Sequence, residues 1–244
     1  SALFYGFKVN RILSKNIRPL PNLKEKDGEA FNAFEDNELR YRHRHLDLIA
    51  NSEVMNIFKK RARIISTLRS ELDAQDFIEV ETPILQSIYG GASARPFTTF
   101  HNTLDQKLFL RIADELYLKR LIIGGFKKVY EIGKNFRNEG MDRNHNPEFT
   151  ALEFYQAYAD VYDMMDLTEI IIHNVAKTID KKILNFSNHT IDISQVFIRK
   201  SMFGLLNEAT GESLDSMDAS GLFTLAKAKN IKVKKNMNYG QLLD

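Results

Sequence analysis

Residues 128–159 read KVYEIGKNFRNEGMDRNHNPEFTALEFYQAYA, and this stretch decides the fold. Two runs rich in β-branched and aromatic residues, 128–137 and 148–159, flank the polar loop 138–147. Such a pattern is typical of two long strands joined as a hairpin. Because successive side chains of a strand point to opposite faces, residues of one parity share one face of the hairpin.

One face of this hairpin is predicted to gather functional side chains. Its members are Glu131, Asn135, Arg137, Glu139 at the start of the loop, and Phe149, Ala151, Glu153, Tyr155 and Ala157. An arginine presents a planar fork of donors to phosphate oxygens. A phenylalanine offers a flat surface for an adenine, and carboxylates with a tyrosine can hold an ammonium group. The face could therefore bind a nucleotide and a cationic amino acid. The alternative is a hairpin with one solvent-exposed face, which alternation alone favours.

Helices and strands are predicted on both sides of the hairpin. Apolar spacings of three and four predict a helix from Asn51 to about Ala74, with Asn51 or Ser52 as its cap. Before the hairpin, we predict a strand at 77–82 ended by Pro83, a close backbone approach at Gly90 and Gly91, a strand at 107–112, and a helix at 114–123 stopped by Gly124 and Gly125. After the hairpin, a helix capped by Asp163 is predicted to end near Ile179, and its apolar stripe consists of Met164, Leu167, Ile170, Ile171 and Val175. A strand at 191–193 and helices at 200–206 and 220–229 complete the predictions.

Strands that follow one another as hairpins, with helices between them, predict an α+β fold. Its sheet is expected to be mainly antiparallel, with helices packed against it. The dense basic run, with Arg40, Arg42, His43, Arg44 and His45, is interpreted as a solvated helix face.

The composition narrows the function classes. The chain has no cysteine, which excludes disulfides, thiolate catalysis and cysteine-based zinc sites. A formal net charge of +2 gives no argument by itself for a nucleic-acid partner. No apolar run approaches the ~20 residues that cross a bilayer, and the N-terminus lacks the pattern of a signal peptide. We therefore expect a cytoplasmic protein with no membrane partner.

The residue order of the hairpin closely resembles motif 2 of the class II aminoacyl-tRNA synthetases, in the form found in the lysine-specific enzymes. The matching blocks are 136–140 (FRNEG), 143–150 (RNHNPEFT) and 152–155 (LEFY). Other blocks match independently. Residues 77–83 (FIEVETP) look like motif 1, 90–97 (GGASARPF) like the loop of the amino-acid site, and 110–119 (LRIADELYLK) like the strand and helix that follow this loop. Residues 18–21 (RPLP) and 39–42 (LRYR) resemble the exit from an anticodon-binding OB domain and the linker to the catalytic domain. The resemblance runs from about residue 9 to 179.

The resemblance implies an incomplete class II catalytic fold with an OB-fold remnant at its N-terminus. By that resemblance the chain divides into an OB remnant (1–21), a linker (22–50), a catalytic core with motifs 1 and 2 (51–187), and a helical insertion between motifs 2 and 3 (188–244). The implied activity is that of a lysine-tRNA ligase, with L-lysine, ATP and tRNA(Lys) as partners. A homodimer is implied too, with motif 1, including Phe77 and Pro83, at its interface.

Roles for individual residues follow from the resemblance. Arg137 would be catalytic: it would bind the ATP α-phosphate and the lysine carboxylate, and stabilise charge while that carboxylate attacks phosphorus. The ATP-binding residues would be Arg137, Glu139, His145, Asn146 and Phe149, the last by stacking on adenine. The lysine-binding residues would be Gly91 and Glu115 at the α-amino group, Glu153 and Tyr155 at the ε-ammonium, and Arg137.

Each of these side chains also has a plainer interpretation. Without the motif, His145 would be an exposed loop histidine and Tyr155 a tyrosine of the sheet face. Glu115 would be a solvated carboxylate in the first turn of a helix, where carboxylates are favoured.

Two departures from the family pattern matter. Asp114 stands where these enzymes usually have proline; as the residue before a helix it is interpreted as a cap of little consequence. Motif 3, the acidic ligands of Mg²⁺ and a second carboxylate for the ε-ammonium do not occur before Asp244. We therefore expect this sequence to be the front part of a synthetase, with the Mg²⁺ ligands downstream and no metal ligand of its own. Without those groups the 244-residue chain is expected not to activate lysine alone.

The sequence leaves two other functions open. A related enzyme attaches a lysine derivative to elongation factor P, although Gly140 and the OB-like exit favour the synthetase. A non-catalytic module could instead use the same scaffold for dimerisation or regulation. The run 143–148 fits the lysyl group better than the aspartyl and asparaginyl synthetases.

Overall fold

The computed structural model describes residues 17, 23–26, 29–32, 34 and 36–244. Nearly all of the predicted OB remnant, with the block at 18–21, lies outside the described residues. The strands are β1 (Leu23–Lys26), β2 (Glu29–Asn32), β3 (Ile78–Glu79), β4 (Leu85–Gln86), β5 (Thr98–His101), β6 (Gln106–Leu110), β7 (Lys128–Phe136), β8 (Glu148–Gln156), β9 (Ile183–Phe186) and β10 (His189–Asp192). The α-helices are α1 (Asn37–Arg42), α2 (Arg44–Ala50), α3 (Ser52–Asp73), α4 (Glu115–Ile123), α5 (Val161–Thr178), α6 (Met202–Thr210), α7 (Ala219–Ala228) and α8 (Tyr239–Leu243).

The predicted hairpin is confirmed as β7 and β8. The two strands pair antiparallel, with Glu131 opposite Glu153 and Asn135 opposite Phe149. Opposed residues of an antiparallel pair share a face, so the predicted grouping of these side chains is also confirmed. The strand ends before Tyr158, which has a positive φ of 61° that an extended strand does not accommodate.

The hairpin belongs to one of two three-stranded sheets, with the order β3-β7-β8; the other has the order β4-β6-β5. Every pairing in them is antiparallel except that of β3 with β7, which is parallel. The prediction of a mainly antiparallel sheet is therefore confirmed. The strand predicted at 77–82 is shorter than expected, although the Val80 N–H still donates to the Tyr130 carbonyl at 2.9 Å.

The hydrophobic core lies on the second face of the hairpin, between β7 and the helices α3 and α5. It consists of Leu72, Phe77, Tyr130, Leu167 and Ile171. The ring of Phe77 meets Phe154 edge to face with centroids 6.0 Å apart. The Tyr130 hydroxyl, the one polar group of this set, donates to Asp73 at 2.9 Å. Burying these apolar side chains turns the other face of the hairpin toward the candidate site.

The long helices begin and end close to the predicted positions, with one correction. Helix α3 runs from Ser52 to Asp73, with Asn51 at its N-cap position and Ala74 at its C-cap position, in agreement with the predicted end near Ala74. Helix α5 is capped by Asp160 rather than Asp163. Asp160 and Asp163 form a reciprocal capping box, so Asp163 closes the first turn from inside the helix. Ile170, assigned to the apolar stripe of α5, is 45% exposed, so that assignment is wrong.

The basic run before α3 is only partly a solvated face. Arg40 and Arg44 both form ion pairs with Asp47, whose side chain is fully buried. Burial opposes the charge of this carboxylate, but hydrogen bonds from Asn51 and Arg40 outweigh it and hold the pKa of Asp47 below its ordinary value. The Arg40 pair therefore ties α1 to α2, and the Arg44 pair lies within α2, so neither side chain is a purely solvated charge.

Residues 195–244 form a second compact unit, separate from the one that ends at Ser194. Its helices α6 and α7 confirm the helices predicted at 200–206 and 220–229. Leu214, Leu222 and Ala226 are its buried apolar side chains. Gly211 ends α6 with a left-handed φ of 76°, the usual role of glycine at a helix C-terminus. The assignment of 188–244 as an insertion stays a prediction.

No helix among the described residues is long and apolar enough to cross a membrane.

A buried ion pair joins the two three-stranded sheets. Arg111, directly after β6, is 1% exposed and contacts Glu131 of β7 at 2.6 Å. The same guanidinium donates to the Lys134 carbonyl at 2.9 Å, while Thr82 donates its N–H and hydroxyl to Glu131. Gly133 leaves space for this arrangement, since a Cβ there would lie 2.0 Å from Arg111 Nη2.

We predict that Gly133→Ala destabilises the protein by about 3 kcal/mol and lowers Tm by roughly 6–12 °C, because the new methyl group displaces a buried guanidinium from its carboxylate. Thermal and denaturant unfolding measure the change. Gly140→Ala is the matched control, since a Cβ at Gly140 meets no atom within 4 Å. Equal stability of the two variants would show that the Arg111 position does not depend on Gly133.

Candidate active site

The residues predicted to bind a nucleotide line one cavity at the loop end of the hairpin. This cavity of about 220 Å³ is lined by Arg137, Glu139, Gly140, Asn144, His145, Asn146 and Phe149. Strand ends and a tight loop bring them together, because Arg137 directly follows β7 and Phe149 is the second residue of β8. The Arg137 N–H donates to the Pro147 carbonyl at 2.8 Å and thereby closes the base of the loop.

Arg137 is arranged to receive an anion. Its guanidinium lies 5.1 Å from the ring centroid of Phe149, a cation–π contact that restricts its position. Its Nε is buried and has no hydrogen-bond partner among the described residues. An unpaired buried donor is costly, so this atom suits an anionic oxygen supplied by a ligand. Adenine stacking on Phe149 would have to use the face of the ring that Arg137 leaves open.

His145 is held by Asp142, a residue that the sequence analysis did not single out. The Asp142 carboxylate accepts the backbone N–H groups of Asn144 and His145, at 2.7 and 2.8 Å, and lies 2.8 Å from His145 Nδ1. These bonds, led by that from Asn144, hold the pKa of Asp142 below its ordinary value. An Asp two residues before the N–H it binds is the signature of an Asx turn, which could have identified it. Exposed as it is, His145 is therefore not a free loop histidine.

The loop predicted to belong to the amino-acid site, residues 90–97, lies beside the hairpin loop, residues 138–147. The Asn138 N–H donates to the Arg95 carbonyl at 2.8 Å, and a shallow cavity is lined by Ser93, Ala94, Arg95, Asn138, Glu139 and Gly140. At the other end of this segment, Gly91 has a φ of 87°, and a Cβ there would lie 2.9 Å from Glu115 Cβ. The predicted close backbone approach is confirmed, and it brings Gly91 and Glu115 together.

Glu153 and Tyr155, the residues predicted to hold the ε-ammonium, contact each other. The Tyr155 hydroxyl donates to Glu153 at 2.9 Å. Burial, and next to it the carboxyl of Asp114, raises the pKa of Glu153 from 4.5 to about 7. Burial and the charges of Glu153, Glu115 and Asp114 also raise the pKa of the Tyr155 phenol. The acidic groups around Tyr155 thus come from both α4 and β8, and they favour a cation at this position.

Asp114 corrects the sequence analysis. It occupies the N-cap position of α4, but its side chain makes no capping bond. It is instead fully buried, and its Oδ1 accepts a hydrogen bond from Asn135 Nδ2 at 3.0 Å. The alternative interpretation, a hairpin with one solvent-exposed face, is likewise wrong at Asn135 and Glu131, which are 2% and 4% exposed. The sequence analysis placed Asn135 on the functional face of the hairpin, but it missed the contact of Asn135 with Asp114.

The two residues predicted at a dimer interface differ in exposure. Phe77 is 4% exposed and lies in the core, whereas Pro83 is exposed. The described residues contain no group of three or more His, Cys, Asp or Glu side chains that could hold a metal ion.

Comparison with known proteins agrees with this geometry. The family of class II tRNA synthetases (D, K and N) matches residues 36–236. The lysine-tRNA ligase of Porphyromonas gingivalis is 48% identical over 233 residues, which cover 95% of this chain and 40% of that protein. Those of Carboxydothermus hydrogenoformans and Prochlorococcus marinus are also 48% identical, over 95% and 96% of this chain and 46% and 45% of their own lengths. The chain thus spans less than half of each relative.

We predict that Glu153→Gln stabilises the protein at pH 8. The raised pKa means that the folded state holds the proton of Glu153 more tightly than the unfolded state. A cost to folding therefore develops as pH rises through 4.5 and is complete above about 7. Glutamine avoids that cost, which we put at roughly 1–2 kcal/mol after allowing for solvent screening of this half-buried group.

Denaturant unfolding at a series of pH values measures the gain, which should disappear toward pH 4. The matched control is Glu148→Gln, an exposed glutamate of the same strand, paired with Lys134 at 3.2 Å, for which no gain at pH 8 is expected. A wild-type protein as stable as Glu153→Gln at pH 8 would contradict the raised pKa.

Proposed function

The chain belongs to the class II tRNA synthetases of the D, K and N group, and from this premise we propose that it carries motifs 1 and 2 of a lysine-tRNA ligase. The whole activity would be the ATP-dependent activation of L-lysine and the transfer of the lysyl group to tRNA(Lys). One observation carries the proposal. The cavity lined by Arg137 and Phe149 lies at one end of a hairpin face, and the carboxyl groups around Tyr155, those of Asp114, Glu115 and Glu153, lie next to it. The 48% identity to lysine-tRNA ligases supports lysine as the amino acid.

Arg137 would act at the reacting centre. A carboxylate oxygen of lysine attacks the α-phosphorus of ATP, the bond from that phosphorus to the leaving pyrophosphate breaks, and lysyl-adenylate forms. The two reactants are anionic, so a guanidinium that touches both lowers their repulsion and stabilises the added charge of the transition state. The unpaired Nε of Arg137 and the contact of its guanidinium with Phe149 support this role, because a donor that is already in position needs little reorganisation during the reaction.

Lysine would be selected by its two ammonium groups. Glu115, close to Gly91, would hold the α-amino group, and Glu153 with Tyr155 would hold the ε-ammonium. An aspartate or asparagine side chain brings no cation to the acidic group and would leave its carboxylates unpaired, which penalises both amino acids. Glu139, His145 and Asn146 would contact ATP, with His145 oriented by Asp142. Mg²⁺ and a cytoplasmic location belong to the proposal through the family alone.

We predict that the full-length gene product catalyses ATP–pyrophosphate exchange with lysine in preference to β-lysine, aspartate and asparagine. Arg137→Lys should lower this exchange by about 100-fold or more, since lysine keeps the charge but loses the planar fork of donors. The matched control is Arg120→Lys, an exposed position on α4 whose guanidinium lies over the Tyr117 ring, and it should leave exchange unchanged. Preference for β-lysine would move the protein to the elongation-factor-modifying enzymes, and no exchange would favour a non-catalytic scaffold.

We also propose that the protein is a homodimer through motif 1. Large apolar side chains of α3 and of the segment after it are exposed, namely Met55, Ile57, Phe58, Ile78, Ile84, Leu85 and Ile88. Exposed apolar groups in this number are typical of an interaction surface. The buried Phe77 would support this surface from below, and Pro83 would belong to it directly.

Ile57→Asp is expected to convert the dimer to a monomer, since it would place a charge in the apolar interface. Ile57 is 65% exposed in the single chain, so the fold itself should tolerate the change. Ile123→Asp, at an 85% exposed isoleucine of α4, is the matched control and should stay dimeric. Analytical ultracentrifugation of both variants decides the assignment, and a dimer that persists in Ile57→Asp would refute it.

A further inference from the structure

We propose that Asp114 is a further specificity-determining residue of the amino-acid site, where it forms with Glu153 a paired carboxylate for the side-chain ammonium of the substrate. This inference rests on the proposed function and deepens it. It assigns a binding role to a residue that the sequence suggested was a helix cap of little consequence.

The burial of Asp114 and its unpaired oxygen are the first argument. The residue is 0% exposed, and one carboxylate oxygen is bonded to Asn135. The other oxygen, Oδ2, has no hydrogen-bond partner among the described residues, and neither does the buried Oδ1 of Asn135. Both are acceptors, so only a donor can satisfy them. An ammonium group, with three N–H donors and a positive charge, has the required chemistry.

The charges around Asp114 are the second argument. On α4, Glu115 is already paired with Lys119 at 2.5 Å. On β7, Glu131 is occupied by Arg111 and Thr82. On β8, Glu153 lies within hydrogen-bonding reach of Asp114 and accepts from the Tyr155 hydroxyl. Within the described part of the chain, no lysine or arginine forms an ion pair with Asp114 or Glu153. The missing positive charge would therefore come from the substrate.

Two neighbouring carboxylates without a cation repel each other, which favours the protonated form of Glu153. Burial and Asp114 together raise the pKa of Glu153 to about 7. The ammonium of the substrate would replace this proton and take its place between the two carboxylates. Binding of lysine is then coupled to release of a proton near neutral pH.

Asp114→Asn in the full-length gene product tests the role with the least structural change. The amide has nearly the same shape, and its oxygen can still accept from Asn135. The expected result is a loss of lysine affinity of about tenfold or more, with ATP affinity changed by less than about twofold. The matched control is Asp105→Asn, which removes the same charge at an exposed turn residue with a φ of 49° that asparagine tolerates. That control should bind lysine like the wild type.

The pH dependence separates a binding role from a structural one. Lysine affinity of the wild type should fall as pH drops below about 7, where Glu153 becomes protonated. In Asp114→Asn this fall should move to lower pH, since the neighbouring charge that raises the pKa of Glu153 is gone. An unchanged lysine affinity, an unmoved pH profile, or an equal loss of lysine and ATP affinity would each overturn the inference.

A measurement on the wild type tests the same inference without any variant. Calorimetry of lysine binding at pH 6.5, in buffers of different ionisation enthalpy, should show release of a substantial fraction of one proton. No proton release would overturn the inference while leaving the proposed function intact. A gene product that bound no lysine at all would overturn the proposed function and this inference together.

Discussion

The buried contact between Arg111 and Glu131 is the constraint on which the candidate site depends. A buried ion pair adds little net stability, because the cost of desolvating two charges offsets their attraction. Its effect here is geometric, since the guanidinium also bonds the carbonyl oxygens of Lys134 and Thr82. Strand β7 and the end of β6 are therefore held in one position relative to each other. The absence of a side chain at Gly133 makes this contact possible.

Both halves of the site are placed by this contact. The Arg111 carbonyl accepts the N–H of Phe136 at 2.9 Å, and Arg137 of the nucleotide cavity is the next residue. Asp114 follows Arg111 closely along the chain and bonds to Asn135 of the same strand. The arginine that would meet the phosphate and the carboxylate that would meet the ammonium are thus fixed to one rigid strand. Fixed positions of this kind are what a reaction that relies on orientation requires.

The hairpin could be predicted because two runs rich in β-branched and aromatic residues flank one polar loop. The site could be outlined because its motif is contiguous. Three features could not be predicted, and each has a physical reason. Asp160 and Asp163 are equally good caps by residue type, and only the reciprocal bonds decide between them. A strand of two residues such as β4 is too short to show an alternation of apolar and polar residues. The direction of the Asp114 side chain depends on Asn135, which is distant in sequence.

Among the described residues, the buried side-chain nitrogen and oxygen atoms without a hydrogen-bond partner are Arg137 Nε, Asp114 Oδ2 and Asn135 Oδ1. Folded proteins pair almost all such atoms, because each unpaired one costs about 1–3 kcal/mol. Here the donor adjoins the nucleotide cavity, and the two acceptors adjoin the acidic group around Tyr155. A ligand with an anionic end and a cationic end would satisfy all of them, which neither an anion nor a cation alone can do. Under the proposed function, the groups that cost the protein stability would also be the groups that select a zwitterion with a second positive charge, such as lysine.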